Sequence, residues 1–188
     1  METGETVLAG VPPAAAPAVR SEQLGVGVES NLLLLLRAAL VTFIVWRGAL
    51  YAFDLLGLSL TPNMGTCRKQ WEVFGKGHEF WNGFFRWDAG WYSLIARNGY
   101  SFHPEKASSV AFYPLYPYLA RYVGVPFGSP FVGGLIVSNA AAVGAIFYLR
   151  RLGTRLYGEP VGALASIFLL VFPTSFFLTA FYTEGLFV

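Results

Sequence analysis

The sequence predicts an all-α polytopic membrane protein, with three transmembrane helices and interfacial helices in a long first outer loop. Three observations predict it. Of 188 residues, 55% are hydrophobic and 13% are charged, whereas soluble domains carry about 25% charged residues. The apolar residues gather into three runs near the length of ~20 that crosses a bilayer. Between the first and second runs lies 61–130, which holds four of the five tryptophans. Tryptophan and tyrosine favour membrane–water interfaces, where a ring is half apolar and half wet.

Residues 1–30 are Ala, Pro, Gly and Val with a few charges, and Pro12, Pro13 and Pro17 break any helix. A disordered cytoplasmic tail is expected there. Acidic Glu2 and Glu5 stand where a secretory signal would be basic. The domain proper is expected over 31–188. Its first span is predicted over 38–58, with Arg37 able to snorkel at one interface. Arg47 falls near mid-span, which is costly for a side chain facing lipid. Asp54 follows seven residues later on the same helix face, so an Arg47–Asp54 contact turned toward other helices is expected.

The outer loop, 61–130, is predicted to hold two helices. Over 84–97, helical spacing puts Phe84, Trp87, Trp91, Leu94 and Ile95 on one stripe, which would lie on the bilayer surface. Asn98-Gly99 supplies the stop. Over 111–123, Pro114 and Pro117 start a short helix that ends near Arg121, and 124–130 turns. The second span, 131–149, is rich in Gly and Ala, which let helices approach closely in lipid. Arg150, Arg151 and Arg155 are expected in a short loop closed by Gly158-Glu159-Pro160. The third span, 161–182, should kink at Pro173, with Thr174 and Ser175 or neighbouring helices satisfying the freed carbonyls.

Three arginines in one short loop make that loop cytoplasmic, whereas a long loop crosses largely regardless of its charge. The N-terminus is then cytoplasmic and the 61–130 loop extracytoplasmic. Asp88 and Glu184, distant in sequence, emerge on the same outer face.

The net charge of +2 is small and the basic residues are scattered, so no nucleic-acid partner is expected. A single cysteine, Cys67, forms no intrachain disulfide. His78 and His103 lie far apart, and no Cys/His cluster is present, so no metal is expected. The densest chemistry is the run Phe84-Phe85-Arg86-Trp87-Asp88-Ala89-Gly90-Trp91-Tyr92, where one carboxylate is set among five rings. A partly desolvated carboxylate suits a general base. A local cap, or a pairing of Asp88 with Arg86 or Tyr92, fits the spacing equally well.

The run from Arg86 to Tyr92, then Ile95-Ala96-Arg97-Asn98-Gly99-Tyr100, then Ala111-Phe112-Tyr113-Pro114-Leu115-Tyr116-Pro117, resembles the glycosylphosphatidylinositol mannosyltransferase II family and its bacterial relatives. Phe172-Pro173-Thr174-Ser175 and Ala180-Phe181-Tyr182-Thr183-Glu184 resemble that family's next block. The matched blocks cover most of 84–188, and the N-terminal tail matches nothing. The resemblance implies the N-terminal part of a GT-C fold and an inverting mannosyltransferase-like enzyme, a transferase of the membrane. Such an enzyme takes a sugar, mannose first among the candidates, from a polyprenyl-phosphate carrier, and no cofactor is expected. Asp88 matches the family's catalytic acid. The acceptor would be a glycolipid or other lipid, a glycan or a protein. Relatives are much longer, so an N-terminal fragment is expected, and it would be inactive if the cavity needs the missing spans.

The same resemblance makes Arg86, Arg97 and Arg121 candidates for the donor phosphate, with interfacial snorkelling as the alternative. Trp87, Trp91, Tyr92 and Tyr100 would stack on the sugar or anchor the loop. Glu184 would line the site or cap the third span's outer end. His103 is a solvated loop histidine or an acid–base assistant. The competing function is a transporter or flippase subunit with Arg47, Asp54 and Glu184 lining a pathway; a non-catalytic membrane scaffold is the third reading.

Overall fold

The computed structural model describes residues 28–60 and 79–188. Residues 1–27 of the expected tail and the stretch 61–78 of the outer loop, with Cys67 and His78, lie outside the described residues, and the tail's last three residues, 28–30, are helical instead. Among the described residues seven helices follow in order: α1 (Val28–Leu60), α2 (Glu79–Gly83), α3 (Ala89–Asn98), α4 (Leu115–Gly124), α5 (Pro130–Tyr157), α6 (Glu159–Val171) and α7 (Glu184–Phe187). Short 3-10 turns occupy Ser109–Ala111, Val125–Phe127 and Ser175–Leu178. No strand occurs among the described residues.

Two helices are long and apolar enough to cross a membrane, α1 over Leu32–Leu60 and α5 over Pro130–Tyr157. On α1, Leu34, Val41, Ile44, Val45 and Phe53 all face outward. Such a surface in water would be an aggregation liability, and in lipid it is the ordinary exterior. Helix α5 is the central post, packed against α1, α4, α6 and α7. Small residues set these approaches. A Cβ on Gly133 would run into the backbone of Ala120 and Gly124, and one on Gly134 into the Phe181 ring. At the other end, a Cβ on Gly153 would meet Gly162 Cα at 2.8 Å. This is the close packing expected of Gly where helices meet in lipid.

Four expectations are corrected. The three arginines do not lie in a loop. Helix α5 runs on to Tyr157, and Gly158 at φ 94° makes the turn directly into α6, so Arg150, Arg151 and Arg155 ride the last two turns of α5. Arg150 Nη2 reaches Glu159 Oε1 across that turn at 2.6 Å.

The third run is not one helix. α6 has 13 residues, about 20 Å at 1.5 Å per residue, against a hydrocarbon core of ~30 Å. Pro173 pushes the residue before it out of the helical region, and Phe172 is extended, at φ −62° and ψ 136°. Ser175 Oγ donates to the Leu170 carbonyl at 2.5 Å, satisfying one of the freed acceptors. The chain then turns through Ser175–Leu178 and returns across the bundle, where Phe181 N–H donates to the Phe84 carbonyl at 3.2 Å.

Helix α3 starts at Ala89 rather than Phe84, because Trp87 is left-handed at φ 46°, and a right-handed helix cannot pass through it. The expected stripe splits accordingly: Phe84 and Ile95 are buried, while Trp87 is 63% exposed. Gly99, at φ 82°, ends α3. Helix α4 begins after Pro114 and ends at Gly124.

The Arg47–Asp54 ion pair does not form: among the described residues the ion pair is Arg150–Glu159. Arg47 is buried, with its guanidinium 4.4 Å from the Tyr51 ring centroid and 4.7 Å from that of Phe84. Nη1 donates to Thr179 Oγ1. The guanidinium is weakly hydrated and planar, so ring faces and one hydroxyl take up most of it, while Nε is buried without a hydrogen-bond partner.

The core has two parts. Phe84, Phe85, Tyr92, Tyr116, Phe131 and Phe181 form an aromatic cluster beneath the Asp88 loop. Ala39, Ala142, Ile146, Leu170 and Leu178 join α1, α5 and α6 lower down.

Candidate active site

Asp88 occupies the residue before α3, and its side chain makes no capping bond to the first-turn amides. The side chain is exposed. A carboxylate in that position ordinarily accepts from its own helix, so the local cap weighed for Asp88 is not what the structure adopts. The backbone around it is held from a distance instead. Asp88 N–H donates to Tyr182 Oη at 3.0 Å, and Tyr182 Oη donates to the Arg86 carbonyl at 2.7 Å. Between those two bonds lies Trp87, whose left-handed conformation costs an L-residue about 1–2 kcal/mol.

Tyr92, one turn into α3, brings its hydroxyl to 3.3 Å from Thr183 Oγ1. Its ring packs edge-on against Tyr116 at 5.4 Å and Phe112 at 5.2 Å. Burial pushes the Tyr92 phenol up, and the Glu184 and Asp88 charges add to this against the Thr183 hydrogen bond. It therefore stays a neutral hydroxyl. Glu184 opens α7, and one of its carboxylate oxygens, Oε2, is buried without a partner. Burial pushes its carboxyl up; backbone N–H groups of Glu184 and Thr183 oppose this, and the Asp88 charge adds to it. Two acids therefore meet at one end of the bundle, with Tyr92, Tyr182 and Thr183 between them.

The other candidates divide. Arg86 is half-buried, and Asp54 of α1 lies within electrostatic reach of both Arg86 and Arg47. Beneath the same loop, a Cβ on Gly83 would meet Asp54 Oδ1 at 3.4 Å. Trp87 leans on Phe177 and Phe176, with centroids at 5.7 and 6.3 Å. Trp91 stacks on Phe112 at 5.8 Å and 21°. Tyr100 donates to the Phe112 carbonyl at 2.7 Å. Trp91 and Tyr100 thus brace the loop at Phe112. Arg97 and Arg121 are exposed in the last turns of α3 and α4. For Arg97 that is the far end of α3 from Asp88. Exposed His103 lies in a local turn closed by Ser108, which takes its N–H at 2.9 Å.

A cavity of about 560 Å³ opens beside the cluster. Phe168, Phe172, Phe177 and Leu178 give it apolar walls, and Thr174 and Glu184 give it polar ones. Phe177 is shared, since its ring lies 4.7 Å from that of Tyr182. Among the described residues no group of three or more His, Cys, Asp or Glu is placed to hold a metal ion.

Sequence reasoning singled out Asp88 and Glu184 but not Tyr182 or Thr183, which join them. The signal was present in the block Ala180 to Glu184, where a tyrosine and a threonine directly precede the acid. No protein-family model, no curated protein and no solved structure matches this chain.

Proposed function

We propose that the chain carries the catalytic end of a multi-pass membrane glycosyltransferase. It transfers a sugar, mannose first among the candidates, from a polyprenyl-phosphate carrier to a hydroxyl acceptor on the non-cytoplasmic side. The observation that carries this reading is the Asp88 carboxylate itself. It is exposed, uncapped, and held by backbone bonds beside a second acid and three hydroxyls. A base must be free to accept a proton, and a carboxylate spent on its own helix is not.

The chemistry balances without a cofactor. Asp88 takes the proton of the acceptor hydroxyl as its oxygen attacks the anomeric carbon. The bond from that carbon to the phosphate oxygen breaks, and polyprenyl phosphate leaves with the electron pair. Configuration inverts because attack and departure are on opposite faces. Arg86 is the nearest cation in sequence for the departing phosphate, and the apolar cavity behind Phe177 suits a hydrocarbon chain.

The placement of charge supports the orientation. Ser138 Oγ donates to the Tyr182 carbonyl at 3.0 Å, so the site lies at the level of Ser138 on α5. Arg150 lies about 18 Å further along that axis, at 1.5 Å per residue. Basic residues favour the cytoplasmic end, which supports the reading of Asp88 as outside. From Glu159 to Glu184 the chain travels back along α5, a third crossing made by a broken helix. The burial of Arg47 between Tyr51, Phe84 and Thr179 favours this reading over a conduction pathway, which would need that cation free.

The test is transfer of radiolabelled mannose from synthetic polyprenyl-phosphate mannose by the full chain in proteoliposomes. Asp88→Asn is expected to lower transfer by about 10²–10⁴-fold while insertion into the membrane is unchanged. Wild-type transfer by that variant would sink the assignment of the base.

A further inference from the structure

Trp87 is the only non-glycine residue with positive φ among the described residues. Its two flanking peptide groups, the Arg86 carbonyl and the Asp88 N–H, both bond to one atom, the Tyr182 hydroxyl oxygen. We infer that Tyr182 is the positioning residue of the site, its hydroxyl holding Trp87 left-handed and so starting α3 at Ala89, with the Asp88 carboxylate at the free N-terminal end of the helix. The inference rests on the reading of Asp88 as the base.

A tryptophan gains nothing intrinsic from the left-handed region, so something must hold it there. The indole's ring contacts on Phe176 and Phe177 fix the side chain but not the two peptide planes. Ala89 N–H closes a local turn on the Arg86 carbonyl at 3.1 Å, and the hydroxyl braces both planes from outside that turn, accepting from one and donating to the other. With Trp87 released, the chain would relax toward the right-handed form. The helix could then run on through Asp88, which is itself right-handed at φ −71° and ψ −13°, and the carboxylate would lose its place at the free N-terminal end of α3 beside Glu184. Tyr182 is itself anchored away from the substrate side. Ser138 Oγ holds its carbonyl, and Phe177 packs on its ring.

Tyr182→Phe keeps the ring and removes the hydroxyl. In the full chain in lipid nanodiscs, amide hydrogen exchange at Asp88 is expected to accelerate about fivefold to tenfold, the loss of one hydrogen bond. Exchange at Ile95 and Ala96, in the body of α3, is expected to stay at the wild-type rate. In the transfer assay kcat is expected to fall about tenfold, with the KM for polyprenyl-phosphate mannose unchanged. Acceleration throughout α3 would make Tyr182 a packing residue and overturn the inference. Unchanged exchange at Asp88 would overturn it too, as would an unchanged kcat beside accelerated exchange. A wild-type chain with no transfer at all overturns the transferase reading instead, and exchange then still decides whether Tyr182 holds the turn.

Discussion

Glu184 carries two opposed influences at once: burial and the Asp88 charge favour its protonated form, while the backbone N–H groups of Thr183 and its own residue favour the anion. Burial is the largest, so the folded chain holds the proton more tightly than the unfolded chain does. Stability tied to that proton is complete below the ordinary glutamate value of 4.5 and is lost as pH rises through the higher folded value. Glu184→Gln mimics the protonated form. The variant is expected to melt above wild type at pH 7 and to show no gain at pH 4, in paired thermal melts at the two pH values. A gain of equal size at both would mean that ionisation of Glu184 has no part in it. Arg47 teaches a related lesson at the same scale. Its spacing to Asp54 pointed to an ion pair along one helix. Its actual acceptor, Thr179, is 132 residues away, and no local pattern carries that information.

At the scale of elements, glycine decides where helices touch. Gly134 faces the Phe181 ring and the Tyr116 hydroxyl, which a Cβ would approach to 2.9 Å. Gly144, ten residues on in the same helix, has nothing within 4 Å. Gly134→Ala is therefore expected to cost about 1–3 kcal/mol through overpacking. Gly144→Ala is expected to stay within about 1 kcal/mol of wild type, on the stabilising side, because alanine is the better helix former. Chemical denaturation in detergent micelles separates the two, and equal losses would contradict the packing described here. The same scale explains which boundaries could be read in advance. The start of α4 after Pro114 and the end of α3 before Gly99 follow from residues that punctuate the chain locally. The start of α3 does not, because Trp87 takes its conformation between bonds from Tyr182, 94 residues beyond Asp88.

At the scale of the whole molecule, α1 and α5 were legible because a long apolar run carries its own meaning. The third run was equally apolar, yet apolarity alone does not distinguish a continuous helix from one that breaks at Val171 and goes on through a 3-10 turn. The sequence led to Asp88 and Glu184 as two acids on one side, and the structure has them at one end of the bundle; their joining through Tyr92, Tyr182 and Thr183 was not legible. Orientation itself is open to direct measurement. With Cys67→Ser as background, Glu105→Cys is expected to react with an impermeant maleimide on intact cells, and Arg155→Cys only after permeabilisation. The reverse pattern would invert the proposed topology and place Asp88 in the cytoplasm.

The early end of α6 reaches past the protein into its surroundings. In the proposed orientation, lipid on that flank meets about 20 Å of apolar helix beside a bilayer core of ~30 Å. Hydrophobic mismatch of this kind is relieved by local thinning, at fractions of a kcal/mol per Å. The pinch falls next to the Phe168–Phe172 wall of the cavity. If the proposed polyprenyl-phosphate donor is the substrate, its long isoprenoid tail would meet the thinned leaflet there, and membrane thickness would then be a variable of substrate choice.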